Sequence, residues 1–265
     1  MVLRDYHLHT EYSFDSQASM RAHADKAISQ GIEEIVFTDH FDPFATEEET
    51  PLYDAEGYFK EIREVQAEYE GKIIIKTGIE VGQSHLYTER VKKVIESNPY
   101  DFVIGSVHCV TGDKDLAFQS YTMANAHSWL YQYFMEACEV AKIGDYDVFG
   151  HLNYICRYMQ KQRIPVNVHD YEEMAMLVLR QIVANGKGME INVSTLRGKG
   201  STPLPPIELI KKFRSLGGEI ITVGSDSHTP QSVVTALKKG MEIAKRAGFK
   251  YIATYSERKP TFHKI

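Results

Sequence analysis

Short apolar segments of strand length alternate with helical patterns along almost the whole chain. Each segment has a β-branched or aromatic core, and most are near-continuous apolar runs, which is typical of strands buried on both faces. After an opening strand that ends near residue 9, the predicted strands are 33–40, 72–81, 100–108, 146–153, 188–194 and 219–228. Repeated strand–helix units of this kind predict an α/β fold with a parallel sheet.

The number of these units predicts the form of the sheet. With the opening strand there are seven βα units, and a parallel sheet of this size is expected to close into a barrel. The C-terminal segment 250–257 is interpreted as a candidate eighth, terminal strand. One helix is expected to start at Ser19 and stop at Gly31, and another is expected over 229–248 with Thr229 as its N-cap.

The composition bounds the class of protein. The chain has 265 residues, 43% of them hydrophobic and 25% charged, which is ordinary for a globular protein that buries its core without cross-links. No linker or low-complexity tract divides it, so residues 1–265 are expected to form a single domain. The formal net charge of −6 disfavours a general nucleic-acid binder, because phosphate affinity needs a basic surface.

The cellular location is predicted from the cysteines and from the lengths of the apolar segments. The three cysteines form no CxxC pair, and the first residues lack the apolar run of a signal peptide. No apolar stretch reaches the length of a membrane span. We therefore expect reduced cysteines, no membrane association and a cytoplasmic location, while the oligomeric state stays open.

Two histidines at the end of the opening strand, in "RDYHLHTEYSFDS", raise the question of a metal site. His7 and His9 lie two positions apart, so their side chains point to the same face of the strand. Two imidazoles on one face can bind one metal ion, but polar residues are also common at the solvated end of a strand. This pair alone leaves both interpretations open.

The other strand ends favour the metal site. Six of the eleven histidines fall at the ends of predicted strands, where the C-terminal ends of a parallel barrel converge on one face. The polar residues at these ends are, in strand order, His7 and His9; Asp39 and His40; Glu80; His108; His151; Asn192 and Ser194; Asp226 and His228. A random distribution would scatter the histidines, so their placement indicates a metal centre.

The donor types predict which ions and how many. Histidine nitrogens with carboxylate oxygens suit zinc, iron or manganese, and there are more donors than one ion can take. Glu80 has no adjacent histidine and is the natural carboxylate to bridge two cations. Paired ions about 3.5–4 Å apart can hold a hydroxide and clamp the oxygens of an in-line displacement.

The motifs "HLHT-x-x-S-x-D", "TDH", "GIE", "GSVH", "GHL" and "GSDSH", in this order over about residues 5–229, resemble the polymerase and histidinol phosphatase (PHP) family, and within it the histidinol-phosphatase branch. The resemblance implies a distorted (β/α)7 TIM-like barrel with a trinuclear divalent metal site (zinc, iron, manganese or a mixture) at the C-terminal ends of the strands. It implies a first ion on His7, His9, Glu80 and Asp226, a second on Glu80, His108 and His151, and a third on Asp15, His40 and His228. Glu80 and Asp226 would be the catalytic residues among these.

The resemblance also implies an activity. The chain would hydrolyse a small-molecule phosphate ester, L-histidinol phosphate, to L-histidinol and phosphate in histidine biosynthesis, with a metal-bridging hydroxide attacking phosphorus. One alternative is a PHP phosphoesterase that acts on nucleotides or nucleic-acid ends. Another is a non-catalytic PHP module that binds a partner protein, which would be expected to have lost ligands that this sequence retains.

Two arginines are candidates for binding the phosphate. Arg197 follows the sixth predicted strand, which is the one strand end without an obvious metal ligand, and the backbone N–H groups near Gly198 and Gly200 could assist it. Arg157, six residues past His151, is a second candidate. For either residue the alternative is an ordinary solvated arginine.

Several neighbouring residues are expected to support the site. Asp39 is predicted to orient a histidine ligand, together with the hydroxyls of Thr10 and Ser13. His85, five residues past Glu80, could reach the pocket as a supporting group or an acid. The acidic, aromatic loop 40–57 is interpreted either as a lid over a cationic substrate or as a solvated loop.

Overall fold

A computed structural model of the chain describes residues 2–43, 53–112, 115–197, 202–232 and 236–265. Within these residues the main sheet consists of parallel strands β1 (Leu3–Leu8), β2 (Ile32–Phe37), β3 (His40–Phe41), β4 (Ile74–Gly82), β5 (Phe102–Ser106), β6 (Val148–Phe149), β7 (Gly188–Asn192) and β8 (Ile221–Gly224). The helices are α1 (Met20–Ser29), α2 (Ala55–Glu68), α3 (Thr88–Glu96), α4 (Ala126–Ile143), α5 (Tyr154–Lys161), α6 (Glu172–Ala184), α7 (Ile207–Ser215) and α8 (Leu237–Arg246). Strands β9 (Tyr251–Ser256) and β10 (Lys259–Lys264) form a separate antiparallel pair.

The barrel has seven strand positions, because β2 and β3 are two halves of one strand. Both pair with β4 in the same register, with Phe37 opposite Thr77 and His40 opposite Glu80. The order around the sheet is β1-β2-β4-β5-β6-β7-β8. Every sequential pair is parallel, as expected for strands joined by helical crossovers. The predicted distorted (β/α)7 barrel is therefore confirmed.

The barrel is nearly closed by contacts between its first and last strands. Leu8 and Ser227 form a parallel bridge, and the N–H of Asp226 donates to the carbonyl of His7 at 2.8 Å. Beneath this point the N–H of Ser225 donates to the buried Asp5 carboxylate at 2.8 Å. Closure by these few bonds fixes the residues that follow β8 against the end of β1.

The helices cover the outside of the barrel with their apolar faces. The Ser19 side chain accepts from the N–H of Ala22 and caps α1 as predicted. In α4 the side chains of Leu130, Tyr133 and Phe134 are buried, as their helical spacing indicates. Among the described residues, no helix is both long and apolar enough to cross a bilayer.

The predicted helix over 229–248 is wrong at its start. Residues Pro230–Ser232 form a short 3₁₀ turn, α8 begins at Leu237, and residues 233–235 lie outside the described part. The Thr229 hydroxyl contacts the Ser232 hydroxyl at 2.8 Å and does not cap the long helix. After β8, Asp226 and Ser227 bond to the end of β1. The chain therefore follows the C-terminal end of the barrel before the helix starts.

The segment 250–257 is a strand, but it is not an eighth barrel strand. The position between β8 and β1 is already filled by their mutual hydrogen bonds, so β9 pairs only with β10. The buried Ala253 and Tyr255 of β9 instead pack against the inward-facing residues Tyr6, Val36, Phe102, Ile104 and Val148. The hairpin thus closes the N-terminal end of the barrel.

Polar contacts hold the β9–β10 hairpin, which we call the plug, in place. The Tyr6 hydroxyl contacts the Glu34 carboxylate and lies 2.9 Å from the N–H of Tyr255. In the turn of the hairpin, the Arg258 guanidinium reaches Asp147 at 3.0 Å and Asp145 at 2.7 Å. The end of the barrel opposite the metal cluster is therefore sealed by both apolar packing and charge.

We predict that Tyr255→Ala destabilises the fold, because it removes a buried aromatic ring from the plug. Truncation of a large core side chain costs about 3–5 kcal/mol in free energy of unfolding. Tyr251→Ala in the same strand is the control: its side chain is 47% exposed, against 3% for Tyr255, and we expect a change within about 0.5 kcal/mol. Urea unfolding measures both, and equal values for the two variants would contradict the plug.

Candidate metal centre

The nine predicted metal ligands lie together at the C-terminal ends of the barrel strands. Each is placed by the strand or the loop that carries it: β1 and the loop after it (His7, His9, Asp15), β3 (His40), β4 (Glu80), the ends of β5 and β6 (His108, His151), and the loop after β8 (Asp226, His228). Parallel strands all point their C-terminal ends to one face, so residues far apart in sequence meet there.

The Glu80 carboxylate lies at the centre of the cluster and is fully buried. Its Oε1 atom is 2.7 Å from Nε2 of His151 and 3.3 Å from Nε2 of His108. Its Oε2 atom is 3.2 Å from Nε2 of His7 and 3.4 Å from Nε2 of His9. Nδ1 of His40 is also 3.2 Å from Oε2. Each oxygen therefore faces its own group of imidazoles, which is the arrangement of a bridging carboxylate.

Asp226 completes the group around His7 and His9. Its Oδ1 atom is 3.5 Å from Nε2 of His9 and 3.9 Å from Nε2 of His7. The backbone of Asp226 has a φ of 53°, which is uncommon for a residue other than glycine. The hydrogen bond from its N–H to the carbonyl of His7 holds this conformation.

A third group lies nearer the solvent. Nε2 of His228 is 3.0 Å from one oxygen of Asp15, and Nε2 of His40 is 3.8 Å from the other. The ring of His9 stacks between those of His40 and His228, with centroid distances of 4.3 and 4.2 Å. The Asp15 side chain is 39% exposed, while that of His9 is fully buried, so the cluster opens to solvent on this side.

The donor set fits divalent metal ions. Four sets of three donors have ligand atoms within 4.8 Å of one another: His7, His9 and Asp226; His7, Glu80 and His151; His40, Glu80 and His108; His9, His40 and His228. Nε2 of His7 and Nε2 of His9 are only 3.0 Å apart. Nδ1 of His7 faces Glu190 and Nδ1 of His9 faces the Ser13 hydroxyl, so in the neutral rings both Nε2 atoms carry lone pairs, which a cation bound to both would bring together without repulsion. Nitrogen and carboxylate donors without thiolate suit zinc, iron and manganese.

The charges of the cluster keep the Glu80 and Asp226 carboxylates ionised and the His9 imidazole neutral. Burial by itself raises the pKa of Glu80, but the surrounding imidazoles, His7 first, hold it well below the usual range. Burial also raises the pKa of Asp226, and the Arg157 guanidinium and His9 outweigh it and hold the pKa low. Burial and the neighbouring His228 lower the pKa of His9 well below its ordinary value. Burial lowers the pKa of His7 and His108, but Glu190 and Asp42 outweigh it and raise the pKa of both rings. Metal binding requires neutral imidazoles, so an ion that binds these two rings would displace their protons.

Glu190 orients two of the histidines from behind. One carboxylate oxygen is 2.7 Å from the ring atom Nδ1 of His7, and the other accepts from the backbone N–H of His151 at 2.8 Å. A Cβ atom at Gly224 would overlap this carboxylate, so the glycine leaves the space in which Glu190 reaches His7. The sequence analysis missed Glu190, although an acid inside a buried apolar strand is a signal that it has a specific partner.

Asp42 has the same function for His108, and it was also missed. Its carboxylate is 2.9 Å from Nδ1 of His108, and a Cβ atom at Gly82 would overlap it. With Nδ1 held by a carboxylate, Nε2 of the imidazole points to the metal side.

Asp39 acts on His9 through a hydroxyl. The Ser13 Oγ atom lies 3.0 Å from Nδ1 of His9 and donates to Asp39 at 2.7 Å. Asp39 also accepts from the hydroxyl of Thr10 at 2.8 Å. These contacts are those expected if Asp39, Thr10 and Ser13 support a ligand.

Both candidate arginines lie beside Asp226. Nη2 of Arg157 donates to the Asp226 carboxylate at 2.7 Å and to the Ser194 hydroxyl at 2.5 Å. Nη2 of Arg197 donates to the carbonyl of Ser225 at 2.7 Å. The structure therefore brings both guanidinium groups to the rim of the cluster.

Other residues singled out in the sequence have different positions. His85 pairs with Glu136 of α4 at 2.6 Å, and its described contacts do not include a ligand. Of the loop 40–57, residues 44–52 lie outside the described residues, as do Gly198 and Gly200.

A nearly closed seven-stranded α/β barrel with a histidine and carboxylate cluster at its C-terminal face defines a metal-binding TIM-like barrel. The PHP domain matches residues 5–194 of the chain. A protein named histidinol-phosphatase from Lactococcus lactis subsp. lactis (strain IL1403) is 34% identical over 255 residues, which is 95% of this chain and 94% of that relative. The chain belongs to the PHP family.

Solved structures show the same fold. The crystal structure of histidinol phosphate phosphatase from the same Lactococcus strain, complexed with zinc, L-histidinol and phosphate, matches with a TM-score of 0.86 and 32% identity over 98% of each chain. A putative histidinol phosphatase from Listeria monocytogenes matches with a TM-score of 0.74 and 18% identity over 89% of this chain and 99% of that chain, which supports the fold alone.

We predict that Glu190→Gln weakens metal binding about 10- to 100-fold. The amide has a single acceptor oxygen and cannot accept from both Nδ1–H of His7 and the backbone N–H of His151, and the substitution removes the charge behind His7. Metal content after dialysis against graded chelator measures the affinity, and circular dichroism verifies folding. Glu33→Gln is the control, since Glu33 is exposed on β2. Equal metal affinity in the two variants would show that Glu190 does not support the ligands.

Proposed function

We propose that this chain is a metal-dependent phosphomonoesterase that hydrolyses L-histidinol phosphate to L-histidinol and phosphate in histidine biosynthesis. The observation that carries the proposal is the complete ligand cluster around Glu80 with two guanidinium groups at its rim. The relative that covers nearly the whole chain is named histidinol-phosphatase, and its structure contains zinc, L-histidinol and phosphate.

We infer that the cluster would hold three divalent ions, with zinc, iron and manganese as candidates. The first would be held by His7, His9, Glu80 and Asp226, the second by Glu80, His108 and His151, and the third by Asp15, His40 and His228. The donor set of His7, His9 and Asp226 supports the first site. The second is supported by His108 and His151 facing the same oxygen of Glu80, and the third by His40 and His228 facing Asp15. When bound, such ions lower the pKa of water and offset phosphoryl charge.

Arg157 and Arg197 would hold the phosphoryl oxygens. The Nε atom of Arg157 is buried and has no hydrogen-bond partner among the described residues, so one donor of this guanidinium is free for a ligand. Burial lowers the pKa of Arg197, Asp226 and Asp5 oppose this, and the neighbouring Arg157 lowers it further. An anion beside both guanidinium groups would offset that repulsion, and a phosphate dianion has the geometry to accept from each.

Glu80 and Asp226 would be the catalytic carboxylates. Both are buried and held ionised by cationic neighbours, so they could hold the divalent ions that would supply the activated water. Asp226 also accepts from Arg157 at 2.7 Å and thereby joins the metal side of the site to the phosphate side.

Phosphate release from purified, metal-analysed protein tests the activity. We expect kcat/KM for histidinol phosphate to exceed the values for nucleoside monophosphates and sugar phosphates by at least about 100-fold. Removal of metal by a chelator should abolish turnover, and added zinc, manganese or ferrous ion should restore it. A preference for nucleotides or nucleic-acid ends would favour the alternative PHP phosphoesterase, and turnover that survives metal removal would contradict the proposal.

Arg197→Ala should lower kcat/KM roughly tenfold to 150-fold, because a hydrogen bond between charged groups in a partly buried site contributes about 1.5–3 kcal/mol. Metal content should stay unchanged, because arginine is not a metal ligand. Arg197→Lys should recover part of the loss, and Arg180→Ala on the exposed face of α6 is the control. If the alanine variant is inhibited by inorganic phosphate as tightly as the wild type, Arg197 does not contact the phosphate.

A further inference from the structure

Asp115 lies on a loop held directly against a metal ligand. It forms an antiparallel bridge with Cys109, and the next residue, Leu116, donates its N–H to the carbonyl of His108 at 2.8 Å. The same loop is tied to α4 at its other end, where the N–H of Thr111 donates to Glu136 at 2.9 Å. These contacts fix the position of Asp115 relative to His108.

Three tyrosines lie near enough to this carboxylate to feel its charge. The ring of Tyr154 lies 5.3 Å from that of His108 and 4.7 Å from that of His151, and its hydroxyl accepts from Tyr158 at 2.6 Å. The Tyr121 hydroxyl donates to the carbonyl of Leu116 at 2.7 Å, beside Asp115. Burial raises the pKa of all three phenols, and the Asp115 charge raises each of them further.

The Asp115 carboxylate differs from the other acids of the site in its partners. Each carboxylate described above is engaged by an imidazole, a hydroxyl or a guanidinium. Asp115 accepts from the backbone N–H of Ala117 at 2.6 Å, and among the described residues no cationic side chain lies within 4.0 Å of it. A half-buried carboxylate near aromatic rings, with no cation within 4.0 Å among the described residues, is an environment that can bind an ammonium group.

Resting on the proposed function, we propose that Asp115 is a specificity residue whose carboxylate binds the ammonium group of the alcohol part of the substrate. In histidinol phosphate the amine is two carbon atoms from the ester oxygen, so it must be bound close to the metal centre. The loop of Asp115 borders His108, while Arg157 lies over the ring of Tyr154 with 5.1 Å between its Cζ atom and the ring centroid. The phosphate and the amine would thus be bound on neighbouring parts of one rim.

The test compares two substrates in two variants. Asp115→Asn should lower kcat/KM for histidinol phosphate roughly 10- to 100-fold, but change it less than about threefold for the analogue with hydrogen in place of the amine. Asp115→Glu should recover part of the loss. Metal content and inhibition by inorganic phosphate should match the wild type, and Glu219→Gln, exposed at the opposite end of the barrel, controls for the loss of one negative charge.

The outcomes separate this proposal from the proposed function. An equal loss for both substrates would show a structural role, and no loss for histidinol phosphate would show that the amine is bound elsewhere; either result overturns the assignment of Asp115 alone. A wild-type protein that does not hydrolyse histidinol phosphate overturns both. A loss confined to the substrate that carries the amine supports the assignment.

Discussion

A fully buried carboxylate such as that of Glu80 is stable only where cations or hydrogen-bond donors surround it. Five imidazole nitrogens from four other parts of the barrel and the Ser106 hydroxyl lie within 3.4 Å of its two oxygens. The strands that carry these donors cannot shift relative to β4 without leaving the charge uncompensated. The geometry of the upper barrel is therefore coupled to the charge balance at one side chain, and divalent cations would complete that balance.

The barrel supports this centre through two different kinds of contact. At the upper end the β1–β8 contacts are polar, and the N–H of Asp226 bonded to His7 places a ligand from the last strand beside a ligand from the first. At the lower end Tyr255 and the apolar residues of β9 fill the interior. A sealed and apolar lower half leaves the upper half as the place where buried polar groups meet solvent and ligands.

The positions of the metal ligands could be predicted from the sequence, because a parallel barrel brings every strand end to one face whatever the details of packing. The place of the C-terminal strand β9 was harder to predict. The apolar pattern of 250–257 indicates a strand but carries no information on its direction or on the strand with which it pairs. Glu190 and Asp42 act through His7 and His108, and they reach them because Gly224 and Gly82 leave space. That relation depends on three-dimensional proximity, which no spacing along the chain encodes.

The rim of the site is divided by charge in a way that suits a substrate with two unlike ends. Arg157 and Arg197 lie on the side of Asp226, where an anion is favoured, while the Asp115 carboxylate lies by His108 and the tyrosines. A phosphate ester with a nearby ammonium group matches both regions in one orientation. A phosphate ester without an amine would leave the Asp115 carboxylate without a cationic partner among the described residues. An unpaired half-buried charge is unfavourable. The arrangement that binds the ester of the amino alcohol would therefore disfavour phosphate esters that lack the amine.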